Sequence, residues 1–218
     1  MVPGSLATLF GAGLSEVTGR VFTGGALSAQ GVTITISGRP APLFSIVNEA
    51  AGEQISFQVP AELGPGVPAR VEVNNNGSVT AVDGVAVLQT QPGIFEDVRP
   101  GTTTRYAAVV KLDASIVGPN NPAARGTFVQ LFLTGLGPTT PSVATGQPAP
   151  SPPATTTLDL AVGLNDAGVP VQFSGLAPGF IGLYQINFQI PENAPVGTVR
   201  LDVIIGGAAS NTSRIEIQ

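Results

Sequence analysis

Apolar and polar residues alternate with a period of two in several short stretches of this chain. Residues 32–37 (Val-Thr-Ile-Thr-Ile-Ser) and residues 54–59 are clear examples, and Pro60 ends the second stretch. Such a period places successive side chains on opposite faces of a β-strand. No stretch shows a sustained period of 3.6 residues, which a helix would require. The chain is therefore predicted to be all-β.

One of these alternating stretches occurs twice. Residues 54–60 read Gln-Ile-Ser-Phe-Gln-Val-Pro and residues 185–191 read Gln-Ile-Asn-Phe-Gln-Ile-Pro, so five of the seven positions are identical. In both copies the alternation predicts that Ile and Phe point into a core and that Gln points outward. Three more pairs of segments match in the same order: residues 9–14 with 131–136, 44–45 with 173–174, and 70–73 with 200–203.

The repeat predicts two tandem immunoglobulin-like β-sandwich domains, residues 1–98 and residues 99–218. Short strands separated by turn signals support this architecture, since the chain contains 28 Gly and 20 Pro. A small closed β-barrel is the alternative. Residues 106–112 are assigned to the second domain as an additional strand. The inner faces are predicted to carry Ile34, Ile36, Phe57, Val59, Ile186, Phe188, Leu201 and Val203.

Three further segments carry local predictions. Residues 74–77 (Asn-Asn-Asn-Gly) are typical of a hairpin turn, which would separate strands at residues 69–73 and 79–82, with another strand at 85–88. Residues 139–157 are rich in Pro, Thr, Ala and Ser and are predicted to form a loop or an extended, polyproline-like edge. Their counterpart, residues 15–31, carries no predicted strand.

Charge and hydropathy exclude several classes of partner. The net charge is −5 and only nine residues are Lys or Arg. Nucleic-acid binding requires a basic patch that displaces counterions, so no nucleic-acid partner is predicted. No apolar run approaches the roughly 18 residues of a membrane-spanning helix, so no membrane insertion is predicted.

Composition also limits the chemistry. The chain has no Cys, no His and no Trp. Disulfides, thiolate nucleophiles, ordinary zinc sites and imidazole bases are therefore excluded. Ser174 precedes Gly175, but the chain has no G-x-S-x-G motif. The sequence predicts a protein that is not an enzyme, with no catalytic residues and no cofactor.

Acidic residues leave one candidate metal site. Asp159, Asn165 and Asp166 could supply oxygen ligands to calcium, although their spacing does not match a calcium-binding loop and ordinary turn capping is the alternative. The carboxylate pairs Glu49 with Glu53 and Glu96 with Asp97 are interpreted as solvated loop acids.

Two other features suggest interactions. Lys111 is the sole lysine. It is interpreted as an edge residue that resists strand pairing, with an isopeptide bond to an Asn as the alternative. Phe180 and Ile181 place two large apolar side chains in a turn. They either pack against the other domain or form an exposed interaction patch.

Several motifs resemble the uncharacterised Solibacter-type C-terminal domain family, which occurs at the ends of long secreted proteins in acidobacteria and related bacteria. The single units are similar to the IPT/TIG branch of immunoglobulin-like folds. The family has no assigned activity, so the resemblance implies a fold and a secreted origin but no site residues. Residues 46–52 depart from the family, which more often has a tighter turn there. The motifs are residues 3–6, 39–43, 54–60, 92–95, 121–126, 134–138, 175–179, 182–185 and 210–211.

These observations lead to one expected function and one alternative. The first residues, Met-Val-Pro-Gly, lack the features of a signal peptide, so the chain is expected to be a segment of a longer extracellular or cell-surface protein. The expected function is a structural module: a stalk, a spacer, or a subunit of a surface assembly or filament that self-associates through edge strands. The alternative is a module that binds carbohydrate or another cell-envelope polymer.

Overall fold

The computed structural model describes residues 1–218, and all its regular secondary structure is β. No helix has the length and apolarity that a membrane span requires. The strands are β1 Leu6–Gly11, β2 Gly19–Ala26, β3 Val32–Ile36, β4 Arg39–Pro40, β5 Leu43–Glu49, β6 Gly52–Gln58, β7 Ala69–Asn75, β8 Ser78–Val85, β9 Gly93–Ile94, β10 Glu96–Val98, β11 Arg105–Ala107, β12 Val109–Lys111, β13 Phe128–Thr134, β14 Thr139–Thr140, β15 Thr155–Thr156, β16 Leu160–Leu164, β17 Ala167–Val169, β18 Val171–Leu176, β19 Tyr184–Gln189, β20 Gly197–Ile205, β21 Ala208–Ala209 and β22 Ser213–Ile217.

Strands β1–β8 form the first unit, a sandwich of two four-stranded antiparallel sheets. One sheet has the order β1-β6-β5-β2 and the other β4-β3-β7-β8. Their facing sides enclose a core of 14 buried residues. The four side chains predicted to point into this core are all buried: Ile34, Ile36, Phe57 and Val59.

Strands β9–β22 form the second unit, which is also a sandwich. One sheet has the order β12-β13-β19-β18-β15-β14, and the facing sheet contains β17-β16-β20 with β22 paired to β20. The core between them has 26 buried residues. The predicted inward residues Ile186, Phe188, Leu201 and Val203 are each 0% exposed. The immunoglobulin-like β-sandwich is therefore confirmed over the barrel alternative.

Matching segments of the repeat occupy matching places in the two sandwiches. Leu9 lies opposite Ile55 in the first unit, and Leu131 lies opposite Ile186 in the second. The central strands also follow the same order, β1-β6-β5 in one unit and β13-β19-β18 in the other. The repeated Gln-Ile-x-Phe-Gln segment is the second strand of this order in each sheet.

Two local predictions are corrected, and a third agrees with the structure. Residues 15–31, predicted without a strand, contain the eight-residue edge strand β2. Its glycines hide the alternation of Arg20 and Phe22, which are exposed, with the half-buried Val21. In place of the two strands predicted at 79–82 and 85–88 there is one strand, β8, which ends at Val85 and passes Asp83 and Gly84 as a bulge, where Gly84 has a φ of 75°. Residues 139–157, predicted as a loop or an extended edge, form a loop apart from the two-residue strands β14 and β15.

The two cores locate the change from one unit to the next. Val87 is the last residue of the first core and Ile94 is the first residue of the second. Strand β9 pairs with β13, and β10 pairs with β11. Residues 93–98, which the division after residue 98 gives to the first domain, thus lie with the second unit.

Candidate functional site

The two units are joined by side-chain hydrogen bonds, and Thr134 makes two of them. Its Oγ1 accepts a hydrogen bond from the N–H of Leu6 at 2.9 Å and donates one to the carbonyl oxygen of Leu6 at 3.0 Å. Leu6 begins β1 of the first unit and Thr134 ends β13 of the second. One hydroxyl therefore satisfies both backbone groups of a residue in the other unit.

Gln58 contributes a second connection, from the repeated segment. Its Nε2 donates to the Gly4 carbonyl at 3.1 Å, and its Oε1 accepts from the Gly146 N–H of the second unit at 2.8 Å. Gln58 is 3% exposed, and Gln185, the repeat counterpart of Gln54, is 9% exposed. Both glutamines lie on the outward face of their strands, as predicted, but they are not exposed to solvent. Other parts of the chain cover that face at both positions.

Thr145 of the second unit makes the third connection. Its Oγ1 accepts from the Ala61 N–H at 2.8 Å and donates to Glu62 Oε2 at 2.5 Å. The Thr145 N–H donates to Glu62 Oε1 at 3.1 Å. These two bonds from Thr145 hold the pKa of the Glu62 carboxyl below its usual value, the bond from the hydroxyl most of all.

Close backbone contact and a small cleft complete the junction. A Cβ on Gly182 would lie 2.9 Å from the Gly4 carbonyl oxygen, so no larger residue fits there without a shift. Beside this contact lies a cleft of about 210 Å³ whose lining includes Gln58 and Tyr184. The Tyr184 hydroxyl donates to the Gly137 carbonyl at 2.6 Å, and burial raises the pKa of Tyr184.

The outer face of the sheet β1-β6-β5-β2 carries two exposed aromatic rings. Phe10 is 73% exposed and Phe22 is 77% exposed. Between them the hydroxyls of Thr8 and Ser56 share a hydrogen bond of 3.1 Å. Ser45 pairs with both Ser56 and Phe22. This face therefore combines apolar rings at its edges with hydroxyl groups between them.

The structure does not bring the three calcium candidates together. Asp159 precedes β16 and Asn165 follows it, and a five-residue strand separates its ends by about 16 Å. Asn165 Oδ1 accepts from the Arg200 N–H at 2.9 Å, and Asp166 forms an ion pair with the Arg200 guanidinium. The φ angles of Asn165 and Asp166 are 47° and 68°, so both residues form the tight turn between β16 and β17. Turn formation accounts for them.

The paired carboxylates have separate partners. Glu49 lies 3.6 Å from Arg20, whereas Glu53 accepts hydrogen bonds from the N–H groups of Gly13 and Leu14, which lower the pKa of its carboxyl. Glu96 lies 3.9 Å from Arg105, and Asp97 lies 3.7 Å from Arg99. No group of three or more acidic residues is arranged to hold a metal ion.

Phe180 and Ile181, in the turn after β18, each take one of the two predicted roles. Phe180 is 58% exposed. Ile181 is half-buried and faces the first unit, since a Cβ on Gly25 would lie 3.3 Å from its Cδ1. Ile181 therefore contacts the first unit, and Phe180 alone is left exposed at this position.

Lys111 lies at the outer edge strand of the second unit, beside Asn121. Its Nζ donates to Asn121 Oδ1, while Asn121 Nδ2 donates to the Ser115 hydroxyl and to the Ile116 carbonyl. Both ends of the Asn121 amide thus make hydrogen bonds that close the loop after β12. Lys111 contributes to this loop as a hydrogen-bond donor.

Comparisons with known proteins show distant likeness in fold. No family model and no curated protein matches the chain. The Bacteroides ovatus mixed-linkage glucan utilization locus protein SGBP-B, solved with a mixed-linkage heptasaccharide, is 14% identical with a TM-score of 0.36, and the match covers 100% of this chain and 42% of that one. SGBP-B from a xyloglucan utilization locus of Bacteroides uniformis is 14% identical with a TM-score of 0.30, covering 99% and 48%.

A titin fragment is similar over most of its own length. Chimeric titin Z1Z2 is 15% identical with a TM-score of 0.25, and the match covers 99% of this chain and 89% of that one. The chain spans less than half of each Bacteroides protein. Because all three TM-scores are below 0.5, no function is transferred from these proteins.

Proposed function

We propose that this chain is a non-enzymatic structural module of an extracellular or cell-surface protein, in which two β-sandwiches form a rigid spacer. The junction between the units carries this proposal. Domains joined by a small polar interface normally move relative to each other. Here Thr134, Gln58 and Thr145 each hydrogen-bond to backbone groups of the other unit or of the segment beside it. Opening the junction would break these hydrogen bonds, each of which contributes about 0.5–1.5 kcal/mol.

The arrangement of polar groups supports a structural role over a catalytic one. The acidic side chains of the predicted pairs bind arginines or backbone N–H groups, and none of these pairs shares a cleft. The resemblance to the Solibacter-type C-terminal domains, a family of secreted proteins, supports the proposed location. A spacer needs defined length and stiffness, which a fastened pair of sandwiches provides.

Spin labels can test the rigidity directly, because the chain has no native cysteine. We expect one narrow distance distribution between labels at Val79→Cys and Ile204→Cys, which lie on different units and are 54% and 48% exposed. A pair within the first unit, Val79→Cys with Phe22→Cys, gives the width expected for a rigid body. An inter-unit distribution much broader than this control would contradict the spacer proposal.

Glycan binding is a second candidate, favoured by the outer face with Phe10 and Phe22. Exposed rings offer apolar faces, and the hydroxyls of Thr8, Ser45 and Ser56 offer donors and acceptors. Mixed-linkage glucan oligosaccharide, the ligand type of the Bacteroides ovatus complex, is a suitable first probe.

Titration calorimetry with this probe and a glycan array test the second candidate. Phe10→Ala and Phe22→Ala should each weaken any binding, whereas Phe180→Ala, which removes an exposed ring from the second unit, should not. Absence of binding across the array would remove the candidate. Binding that only Phe180→Ala weakens would move the site to the second unit.

A further inference from the structure

The first unit is open along one side. Strands β1 and β8 are the edge strands of its two sheets on this side, and they leave a groove of about 470 Å³ between them. Eleven of its 14 lining residues are hydrophobic and none has a charged side chain. Ala7 and Leu9 line it from β1, and Val82 and Val85 line it from β8. We call this feature the open groove.

Inward-facing side chains at the open groove remain in contact with solvent. Val82 lies opposite the buried Val71 and so faces the interior of the sandwich, yet it is 57% exposed. Ala7 and Leu9 also face inward from β1 and are only half-buried. A monomeric sandwich normally covers such a surface, so the first unit has an incomplete core.

The second unit shows how the equivalent side is covered. There β12 pairs antiparallel with β13, and Val109 lies opposite Leu131. The same segment continues across the gap to the other sheet, where the Ala123 N–H donates to the Glu216 carbonyl in β22 at 2.8 Å. Val109, Val117 and Ala123 are at most 2% exposed.

This covering segment changes the environment of the matching strand. Val129 and Leu131 of β13, the counterparts of Ala7 and Leu9, are both 0% exposed. The core of the second unit contains 26 buried residues and that of the first contains 14. The first unit thus has the same central strands as the second, but no segment of this chain lies over them.

The backbone of β1 indicates what kind of molecule fits. The Val59 N–H donates to the Ser5 carbonyl, so by antiparallel alternation Ala7 and Leu9 also bond to β6. Leu6, Thr8 and Phe10 then direct their backbone groups away from β6. Thr134 binds those of Leu6, and β1 has no paired strand beside Thr8 and Phe10. A polypeptide strand supplies matching donors and acceptors, whereas a lipid or an apolar small molecule does not.

We propose that the open groove binds an extended strand of another polypeptide, antiparallel to β1, with apolar side chains at alternate positions. The bound strand would hydrogen-bond to Thr8 and Phe10 and bury its apolar side chains against Leu9 and Val82. Residues 105–118 of this chain cover the equivalent side of the second unit: Val109–Lys111 pair antiparallel with β13, and the chain then turns back so that the Val117 N–H donates to the Val109 carbonyl. This interaction surface is independent of the rigidity on which the proposed spacer function rests.

Binding of a fluorescein-labelled peptide with the sequence of residues 105–118 tests the proposal, with fluorescence anisotropy as the readout. The full chain should bind this peptide saturably. A peptide with Asp in place of Val109 and Val117 should bind at least about tenfold more weakly, because its charges would be buried in an apolar groove. In hydrogen exchange, the unlabelled peptide should protect the amides of Thr8 and Phe10.

Two variants of β8 make a matched pair. Val82→Lys places a charge in the open groove, and Val79→Lys places one on the opposite face of the same strand, where Val79 is 54% exposed. Only Val82→Lys should weaken peptide binding, by at least about tenfold. Thr8→Pro should do the same, because it removes an edge donor that β6 does not use. Urea unfolding checks that each variant remains folded.

Three results would overturn the assignment. In the first, the peptide does not bind. In the second, it binds the Val82→Lys and Val79→Lys variants equally strongly. In the third, light scattering shows that the chain alone forms a dimer, which Val82→Lys dissociates. The third result would assign the groove to a second copy. The spin-label distances between units would stay unchanged in all three cases, so the spacer proposal is judged separately.

Discussion

At the scale of single residues, the junction depends on a few polar side chains whose partners lie far away in sequence. Thr134 and Leu6 are 128 positions apart, and Gln58 and Gly146 are 88 positions apart. Hydrogen-bond geometry is directional, so these side chains define one relative position of the two units.

Thr134→Val keeps the shape of the side chain and removes the hydroxyl. The N–H and carbonyl of Leu6 then lose their partner, which should lower the free energy of unfolding by about 1–3 kcal/mol. Urea denaturation measures the change. Thr127→Val serves as the control, since the Thr127 hydroxyl is exposed and bonds only to the nearby Ala124 carbonyl. An equal effect of the two substitutions would contradict a special role for Thr134.

The raised pKa of Tyr184 predicts that the protein loses stability at alkaline pH. Burial raises the pKa of Tyr184 above its value in the unfolded chain, so its contribution is complete below the unfolded pKa. As the pH rises above about 10, the unfolded state loses its proton first and stability falls. Urea midpoints measured from neutral pH upward should show this fall in the wild type and in Tyr106→Phe. Tyr184→Phe should show a smaller fall, and an unchanged alkaline fall would contradict the assignment.

At the scale of elements, the same strand and turn serve two different environments. The turn after β1 has Gly13 at a φ of 70°, and the turn after β13 has Gly135 at a φ of 77°. A Cβ on Gly135 would lie 2.0 Å from the Gln91 carbonyl oxygen, whereas a Cβ on Gly13 would have no heavy atom within 4 Å. The two copies thus share the turn, but the connection between the units, at Gln91, packs only against the copy at Gly135.

This difference predicts unequal effects of the same substitution. Gly13→Ala should cost about 1–2 kcal/mol, because it adds only the strain of a left-handed backbone. Gly135→Ala should cost clearly more, because it also displaces the backbone at Gln91, whose N–H donates to the Gly135 carbonyl at 3.0 Å. Chemical denaturation of both variants measures the difference. Equal losses would show that the contact at Gln91 relaxes freely.

At the scale of the whole molecule, the contact between Glu62 and Thr145 makes the junction sensitive to acid. The hydrogen bonds from Thr145 lower the pKa of Glu62 in the folded state. Their stabilisation is therefore present above the unfolded pKa of about 4 and is lost as the pH falls through the folded value.

We expect the distance distribution between labels at Val79→Cys and Ile204→Cys to broaden below about pH 4. The label pair within the first unit should stay narrow over the same range, which separates opening of the junction from unfolding. In Glu62→Gln the side chain no longer titrates, so the width should depend less on pH. A wild-type distribution with constant width down to acid unfolding would contradict this role of Glu62.

Local patterns in the sequence determined the strands and their inward faces. Alternation identified Ile55 and Phe57 as core residues, and Asn-Gly at residues 76–77 identified a turn, where the φ angles are 50° and 92°. These features depend on backbone geometry over a few residues, so a single sequence is sufficient to show them. Glycine-rich β2 was missed because its alternation has few side chains to display it.

Tertiary structure alone decided which outward faces are covered. Alternation predicted that Gln58 and Gln185 point outward, but only the packing of distant segments shows that both are buried. Likewise, β1 and β13 have matching patterns, yet Leu9 borders the open groove and Leu131 is fully buried. The physical reason is that alternation fixes the direction of a side chain within its own strand. What lies in that direction depends on segments far away in the chain.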